Sequence, residues 1–349
     1  MLKGFPPRWD LIIQAFKISA IILYGEMRKI LNERKLKLKI PKTVVLSVTS
    51  KCNLSCRGCY AINNSHENHL DTNEIQRIIN EATRLGSYFF VITGGEPLMV
   101  PGLIPLLAKN KNALFILITN GTLFNEKTIS QLKMSWNILP VISVDGDQNH
   151  IEYRRSPGTW ENIQSAMSLF RFHHIAFGVS IMLTRLNIRN VLDLDWLNSI
   201  WKQGARFGFL LDYLPFDHSH IQSYELDRED LLLKRTLLEN LRSKSPLPLF
   251  MFPEGDYCKS NCYFLRDHLI HINASGMVEP CPFCQVAMDS IRKKPLEEIL
   301  DSDFFKGLHR QFENNPNQNT SCILFDNIDK INSVSEEIHS AEPESINNY

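Results

Sequence analysis

Apolar runs of strand length alternate with helical stretches between residues 43 and 214. Most runs are continuous rather than alternating in polarity, which is typical of parallel strands covered on both faces. The runs are "TVVLSV" (43–48), "YFFVIT" (88–93), "LFILIT" (114–119), "ILPVISV" (138–144), "IAFGVSIML" (175–183) and "FGFLLDYL" (207–214). Six such units in about 170 residues predict an α/β fold, a partial (β/α)6 TIM-like barrel.

The first helix between these runs has recognisable ends and one apolar face. Asp71 or Thr72 can cap its N-terminus, and Gly86 follows its last apolar residue. Residues on its predicted buried face are Ile75, Ile78, Ile79, Ala82 and Leu85. This helical spacing supports the barrel, in which helices cover the outside of the strands.

Polar motifs follow directly after the first four strands: "TSKCNLSCRGCYA", "GGEP", "NGT" and "DGDQNHIEYRR". Ligands of α/β barrels bind where the carboxyl ends of the strands meet. Because core packing does not explain this placement, we expect the four motifs to converge on one mouth. Asp212 and Tyr213, after the sixth strand, are candidates for contact with a substrate there.

The pattern changes near residue 245, which predicts four regions. Residues 1–42 form an amphipathic helix and a basic segment, 43–245 the barrel, 246–330 a small cysteine-rich domain, and 331–349 a disordered tail. The N-terminal helix has no uninterrupted apolar run long enough to span a bilayer. It can contact an anionic membrane surface peripherally, or alternatively pack across the main domain.

The composition is that of an ordinary globular protein with 349 residues, of which 44% are hydrophobic. Lys and Arg total 38, as do Asp and Glu, so no global field attracts nucleic acid. Eight cysteines are too few for a disulfide scaffold, and no cleavable signal peptide precedes them. We therefore expect reduced thiols and a cytoplasmic protein, with peripheral membrane contact as an additional expectation.

Cys52, Cys56 and Cys59 lie within eight residues, whereas a structural zinc site takes four protein ligands. Three thiolates on a [4Fe–4S] cube leave one iron open to bind another molecule. The missing fourth ligand therefore predicts a cluster that takes part in chemistry.

The spacing C-x3-C-x2-C after the first strand resembles the radical SAM superfamily. That resemblance implies a SAM-binding [4Fe–4S] cluster on Cys52, Cys56 and Cys59, which also makes these cysteines catalytic. S-adenosyl-L-methionine is then cleaved reductively to a 5′-deoxyadenosyl radical, which removes hydrogen from a substrate. One departure is Gly58, at a position that is often aromatic in the family. Tyr60, just after the third cysteine, is therefore expected to bind the cofactor, with an altered adenine contact.

The same resemblance implies further cofactor-binding residues. The segment Gly94, Gly95, Glu96 and Pro97 resembles the part of the family that receives the methionyl amine, with the charge of Glu96 facing an ammonium. Asn120, Ser143 and Ser180 resemble positions that bind the ribose or carboxylate. Arg154 or Arg155 resembles the arginine near the cofactor carboxylate, which suits the bidentate guanidinium. A surface or structural role is the alternative for each of these five residues.

The later cysteines predict a second metal site. Cys262, Gly276 and Cys281 follow the C-x9-15-G-x4-C pattern, which resembles SPASM and twitch extensions around a β-hairpin. The resemblance implies an auxiliary iron–sulfur cluster on Cys262, Cys281, Cys284 and Cys322. Zinc remains an alternative for four thiolates. The role of Cys258 stays open.

The sequence therefore predicts a radical SAM oxidoreductase or maturase-type enzyme that works in peptide modification or in cofactor or small-molecule biosynthesis. A non-catalytic iron–sulfur or zinc scaffold is the alternative. The expected partners are a reductant such as flavodoxin or ferredoxin and an unknown peptide or small-molecule substrate. A membrane-associated, lipid-like substrate is a further alternative, motivated by the N-terminal helix.

Overall fold

The computed structural model describes residues 9–61, 68–216, 220–252, 262–266, 268–313 and 322–341. Its centre is a nine-stranded sheet in the order β7-β6-β5-β4-β3-β2-β1-β8-β9. The strands are β1 (Thr43–Thr49), β2 (Phe89–Gly94), β3 (Leu114–Thr119), β4 (Ile138–Ser143), β5 (Phe177–Leu183), β6 (Ala205–Asp212), β7 (Leu249–Phe252), β8 (Leu269–Ile272) and β9 (Val278–Glu279). All neighbouring pairs are parallel except β8 with β9.

Helices cover the sheet between consecutive strands, as the predicted βα units require. Those described are α1 (Trp9–Leu36), α2 (Thr72–Leu85), α3 (Leu103–Lys109), α4 (Glu126–Lys133), α5 (Gln148–Arg154), α6 (Thr159–Phe172), α7 (Ile188–Val191), α8 (Leu194–Lys202), α9 (Arg228–Leu241), α10 (Leu296–Leu300), α11 (Asp303–Glu313) and α12 (Ile328–Ala341). The six strands predicted from the apolar runs correspond to β1–β6. The prediction of an α/β fold with a partial barrel is confirmed.

Helix α2 shows how local sequence sets the register of this framework. Asp71 caps its first turn, accepting hydrogen bonds from the backbone N–H groups of Asn73 and Glu74. The predicted apolar face is buried, and the helix ends at Gly86. A capping box and an apolar stripe together fix where this helix begins and which side faces the sheet.

The C-terminal hairpin is joined to the barrel sheet more closely than the sequence indicates. Strands β8 and β9 form the predicted antiparallel pair, but β8 also pairs in parallel with β1. Without β8, the backbone groups along that side of β1 would lack a strand partner. The hairpin therefore completes the barrel edge and, since Cys281 follows β9 closely, positions the second cysteine set against it.

Two other regions differ from expectation. Strand β7 extends the barrel sheet beyond β6, although its residues follow the boundary predicted near 245, and that boundary stays a prediction. Residues 331–341, which the sequence analysis assigns to a disordered tail, lie in helix α12. Three aliphatic side chains, Ile331, Val334 and Ile338, pack against the core from this helix, which explains why it is ordered.

Helix α1 packs across the N-terminal ends of the strands, opposite the predicted mouth. Its Gln14 side chain donates to the carbonyl of Trp136, just before β4, over 3.2 Å. Glu26 accepts from the Tyr88 hydroxyl, just before β2, and forms an ion pair with Lys42, just before β1. The expected helix is present, and its packing across the main domain is the arrangement that the structure shows.

Within the described residues, no helix is both long enough and apolar enough to pass through a lipid bilayer.

A buried hydrogen-bond chain joins β1 to the hairpin. The Ser47 hydroxyl lies 2.8 Å from His271 Nε2, and His271 Nδ1 lies 2.6 Å from Glu279 Oε2. Asn273 donates to the other oxygen of Glu279 over 2.6 Å. Ser47, His271 and Glu279 are each less than 10% exposed. The sequence analysis did not identify this chain, because its members come from three separate strands.

We predict that His271→Ala destabilises the protein by about 2–3 kcal/mol, since the buried Ser47 hydroxyl loses its histidine partner and the Glu279 carboxyl keeps only Asn273. Ser47→Ala is the matched control, because it removes one hydrogen bond and should cost about 1 kcal/mol. Anaerobic denaturant unfolding of the reconstituted protein measures both. Equal losses in the two variants would contradict a central role for the histidine.

Candidate active site

The loop after β1 brings the three front cysteines to the carboxyl end of the sheet. Cys52 is exposed, and Cys56 and Cys59 are partly buried. Burial raises the pKa of the Cys52 thiol, and the nearby Cys56 and Cys59 raise it further. The three thiols are therefore near enough to influence one another electrostatically.

Two glycines hold this loop against the end of β2. The register between β1 and β2 shifts after Ser47, so that Thr49 pairs with Gly94. Gly95 N donates to Thr49 O over 2.7 Å, and Glu96 N donates to Lys51 O over 2.9 Å. A Cβ atom on Gly94 would lie 2.3 Å from Thr49 O, and one on Gly95 would lie 2.2 Å from Lys51 O. The glycines therefore allow backbone to touch backbone beneath the cysteines.

Glu96 is a buried acceptor of hydrogen bonds at the end of β2. Its side chain is fully buried and accepts from Leu98 N over 3.1 Å, Thr119 Oγ1 over 2.7 Å and Asn120 N over 2.8 Å. Burial raises the pKa of Glu96, although the hydrogen bonds from these three donors lower it. The carboxyl group thus ties β2 to β3, and its contact with the methionyl ammonium stays a prediction. Pro97, also buried, begins the short 3₁₀ helix Pro97–Met99.

Asn120 supports the cysteine loop from the end of β3. Its Nδ2 donates to Asn53 Oδ1 over 2.8 Å and lies 4.0 Å from Cys52 Sγ. Its Oδ1 accepts from the backbone and hydroxyl of Thr122. Asn120, which is predicted to bind the cofactor, therefore also supports the cysteine loop and fixes the position of Cys52.

The two predicted serines lie side by side. Ser143 on β4 pairs with Ser180 on β5, and their hydroxyl oxygens are 3.1 Å apart. Ser180 is buried and Ser143 is partly exposed. The Ser143 hydroxyl thus lies at the same end of the sheet as the cysteine loop.

Arg154 and Arg155 share one carboxylate, which the sequence analysis missed. Asp145 Oδ2 lies 2.6 Å from Arg154 Nη1 and 2.8 Å from Arg155 Nη2, and Oδ1 accepts from Met182 N. Burial alone would raise the pKa of Asp145, but the two guanidinium groups hold it well below its usual range. The group keeps one net positive charge, since two cations face one anion.

That positive charge acts on the cysteine loop. Burial raises the pKa of Cys56, whereas the charges of Arg155 and Arg154 oppose this rise. Among the described residues, Arg154 Nε and Arg155 Nε are buried donors with no hydrogen-bond partner. Buried donors ordinarily have acceptors, so this site suits an anionic group such as a carboxylate.

Gly58, the departure noted in the motif, has φ of +67° and packs beneath two tyrosines. A Cβ atom there would lie 3.0 Å from Tyr213 and 3.1 Å from Tyr224. These rings meet edge to face, with centroids 5.5 Å apart. Aromatic surface is therefore supplied at this position by the segments after β6 rather than by the cysteine loop.

Tyr60 connects the front loop to the second cysteine set. Burial raises the pKa of Tyr60 to about 12, and its hydroxyl lies 3.3 Å from Thr93 Oγ1. Its ring meets Phe283, between Cys281 and Cys284, with centroids 5.9 Å apart. Tyr60 thus contacts the C-terminal site, and its predicted contact with the cofactor stays a prediction.

The four later cysteines form a buried site. Cys281, Cys284 and Cys322 are each less than 10% exposed, and Cys262 is partly exposed. Burial raises the pKa of Cys281, and the charges of the three other cysteines raise it further. Burial likewise raises the pKa of Cys322 to about 12. The four thiols therefore influence one another electrostatically, and their role as a ligand set stays a prediction. Cys258 lies outside the described residues.

Backbone N–H groups point at each of these sulfurs. Phe283 N donates to Cys281 Sγ over 3.2 Å. Backbone N–H groups likewise lower the pKa of the other thiols against the effect of burial: Leu265 and Phe264 act on Cys262, Val286 on Cys284, and Phe325 and Leu324 on Cys322. Such donors stabilise thiolates and tune the potential of an iron–sulfur cluster. Over the described part of the chain, no three His, Cys, Asp or Glu side chains converge as closely as a single metal ion requires.

Comparison with known proteins identifies the class. A model of the radical SAM superfamily matches residues 46–194, and a model of the SPASM iron–sulfur cluster-binding domain matches residues 262–323. The chain therefore belongs to the radical SAM superfamily and carries a SPASM domain. Its cofactors are a [4Fe–4S] cluster with S-adenosylmethionine and an auxiliary iron–sulfur cluster. The protein is an enzyme, as predicted.

Three relatives each match more than two thirds of the chain. The AdoMet-dependent heme synthase of Methanosarcina barkeri is 22% identical over 288 residues, covering 75% of this chain and 82% of that protein. The heme synthase of Nitratidesulfovibrio vulgaris is 27% identical over 311 residues, covering 78% and 82%. An uncharacterized protein of Methanocaldococcus jannaschii is 31% identical over 263 residues, covering 69% and 85%.

Solved structures confirm the fold. Streptococcus suis SuiB bound to S-adenosylmethionine has a TM-score of 0.67 at 16% identity, with 86% of this chain and 75% of SuiB covered. AnSMEcpe with bound AdoMet has a TM-score of 0.61 at 16% identity, with 85% and 97% covered. At this identity the likeness establishes the architecture alone.

We predict that Gly95→Ala displaces the Lys51 carbonyl and lowers the iron content of the front site. Gly102→Ala is the control, because a Cβ atom there meets nothing within 4 Å; its positive φ should cost only about 1 kcal/mol. Iron quantification and the visible absorption spectrum after anaerobic reconstitution test this. Full iron loading of Gly95→Ala would show that the backbone contact does not position the cysteines.

Proposed function

We propose that this enzyme uses S-adenosylmethionine to start a radical oxidation of a substrate at the barrel mouth. The observation that carries the proposal is the pairing of a three-cysteine loop with a buried four-cysteine site. Tyr60 and Phe283 lie between the two sites with ring centroids 5.9 Å apart. Three thiolates leave a coordination position free, whereas four complete the set.

Cys52, Cys56 and Cys59 would hold the front cluster, with Asn120 and the glycine contact fixing their loop. The net positive charge of the Asp145 group would favour thiolates and an anionic cofactor beside Cys56. When bound, the two clusters and the cofactor supply one-electron chemistry: reductive cleavage of the sulfonium to a 5′-deoxyadenosyl radical, and uptake of an electron from the substrate.

The residues around the mouth would bind and orient the cofactor. Arg154, with its unpartnered Nε–H, would donate to the cofactor carboxylate, and Ser143 would hydrogen-bond the ribose or carboxylate. Tyr213 and Tyr224, packed on Gly58, would exclude water from one side. Each role follows from a donor or an apolar surface that lies beside the cysteine loop.

Cys262, Cys281, Cys284 and Cys322 would fully ligate the auxiliary cluster. With four thiolates in place, no position remains for the substrate, so an electron-accepting role is the better one. The N–H donors to the sulfurs would raise its reduction potential. A reductant such as flavodoxin or ferredoxin would supply the electron that the front cluster needs.

A peptide is the first candidate substrate. The fold is shared with SuiB, which has been seen bound to its precursor peptide SuiA, and with anSMEcpe bound to the Cp18Cys peptide. A small molecule is the second candidate, favoured by the two heme synthases that match more than 70% of this chain. Incubation with each substrate class, followed by mass spectrometry for loss of two hydrogens, separates the two.

We predict that Cys56→Ala abolishes formation of 5′-deoxyadenosine in reconstituted enzyme given S-adenosylmethionine and dithionite. Cys281→Ala should retain most of this uncoupled cleavage, because it alters only the electron-accepting site. Chromatographic quantification of 5′-deoxyadenosine measures both. Equal loss in the two variants would mean that the second site supports the first cluster or the fold. No 5′-deoxyadenosine from the unaltered enzyme would instead favour a non-catalytic scaffold.

We further predict that Arg154→Met weakens binding of S-adenosylmethionine by about tenfold to a hundredfold, the cost of a hydrogen bond to a charged group. Asp145 keeps Arg155 and Met182 N–H as partners, so iron content should not change. Arg185→Met, which removes an exposed arginine paired with Asp227 and Asp230, is the control. Calorimetric titration with S-adenosylmethionine measures the affinity of both variants. An unchanged affinity of Arg154→Met would refute the role of Arg154 in binding the cofactor.

A further inference from the structure

The outer face of helix α1 is an exposed apolar stripe. Its side chains recur at helical spacing on one side: Ile13, Phe16, Leu23, Met27, Ile30 and Leu31. Phe16 is 75% exposed and Leu23 is 73% exposed. A stripe of this length on a surface helix marks an interaction site rather than scattered exposure.

The opposite face of the same helix is used by the fold. Gly25 lies against the ring of Tyr88, and the Asn32 side chain donates to the carbonyls of Arg84 and Leu85 over 3.0 and 2.7 Å. Helix α1 is therefore fixed in orientation by its inner face. The apolar stripe points directly away from the barrel because it occupies the other side of the helix.

Charge is distributed unequally between the two flanks of the stripe. Lys17, Arg28 and Lys35 follow one flank at spacings of eleven and seven residues, which return to the same side of a helix. The acidic residues Glu26 and Glu33 lie toward the barrel, where they pair with Lys42 and Lys29. The described surface on this flank of the stripe is thus basic, while Glu26 and Glu33 are each paired with a lysine on the other flank.

A second element extends this surface. Lys17 Nζ lies 5.2 Å from the centre of the Trp136 ring, and Lys111 Nζ lies 5.9 Å from it. Met134, two residues earlier, is 82% exposed. An aromatic ring next to lysines and an exposed methionine has the composition of residues that lie at a membrane–water interface.

We propose that the outer face of α1 docks on the surface of an anionic phospholipid bilayer. The apolar stripe would enter the boundary between headgroups and acyl chains, and the basic flank would lie among anionic headgroups. An antiparallel pair of copies of this chain fits less well. Two copies packed face to face in antiparallel fashion would place one basic flank beside the other, whereas headgroups neutralise it.

The fold gives this docking a direction. Helix α1 crosses the N-terminal ends of the strands, as the contacts with Lys42, Tyr88 and Trp136 show. The cysteine loop follows the carboxyl end of β1 and lies at the other end of the sheet. The docked enzyme would therefore present its mouth to the aqueous phase, so a substrate would arrive from water and not from the bilayer beneath.

Flotation of the full reconstituted protein with vesicles tests the docking. Vesicles of phosphatidylcholine with about 30% phosphatidylglycerol should bind the protein, because the lipid surface is anionic. Raised salt should release the protein, because salt screens this attraction. Lys17→Gln/Arg28→Gln/Lys35→Gln should bind about a hundredfold more weakly, since each basic residue contributes about fivefold. Lys202→Gln/Lys244→Gln/Lys293→Gln, which removes the same charge elsewhere, should bind normally.

The apolar stripe is tested separately. Phe16→Ser/Leu23→Ser should lower vesicle binding by about a hundredfold, because two large side chains no longer leave water. Leu186→Ser/Leu232→Ser, which alters two exposed leucines outside α1, should not. No flotation with anionic vesicles would overturn the proposal. So would a dimer in light scattering that Phe16→Ser/Leu23→Ser converts to monomer, since that result assigns the stripe to a second copy.

The orientation of the docked enzyme is tested by a separate measurement. This measurement rests on the proposed function, because it follows the absorbance of the front cluster. Ferricyanide should bleach the iron–sulfur absorbance equally fast in free and vesicle-bound protein, because the mouth stays in water. Slower bleaching on vesicles would overturn the orientation. The flotation results do not depend on catalysis, so failure of the radical reaction and failure of docking are distinguishable.

Discussion

The site depends on one backbone contact, in which the loop after β1 lies directly on the glycines after β2. The backbone N–H groups of Gly95 and Glu96 donate to the carbonyls of Thr49 and Lys51. A side chain at Gly94 or Gly95 would collide with these carbonyl oxygens. Asn120 adds a side-chain strut from the third strand. The cysteine loop is thus tied to neighbouring strand ends, which lets three sulfurs keep a fixed arrangement without a fourth protein ligand.

Much of the fold is predictable because it is local in sequence. Continuous apolar runs mark buried parallel strands, and Asp71 with its apolar helix face marks α2. The cysteine spacings likewise identify both metal sites. What escapes sequence reasoning is pairing between distant segments: β8 beside β1, the Ser47–His271–Glu279 chain, and Asp145 shared by two arginines. These contacts depend on how strands are ordered in space.

Glu96 and Tyr60 show the same limit at the level of single residues. A motif assigns a residue type to a site but does not say which way its side chain points. The Glu96 carboxyl accepts from three internal donors, and the Tyr60 ring contacts Phe283. In both cases a residue next to the cofactor motif stabilises the framework, since the closely packed strand ends also need their buried polar groups satisfied.

The most direct test of the account is the electron paramagnetic resonance spectrum of reduced, anaerobically reconstituted protein, recorded before and after addition of S-adenosylmethionine. A front cluster held by only Cys52, Cys56 and Cys59 has an iron that the cofactor can reach, so its signal should change. A spectrum that stays the same with saturating cofactor would contradict the account, because it would mean that no iron of the front cluster is open to ligand.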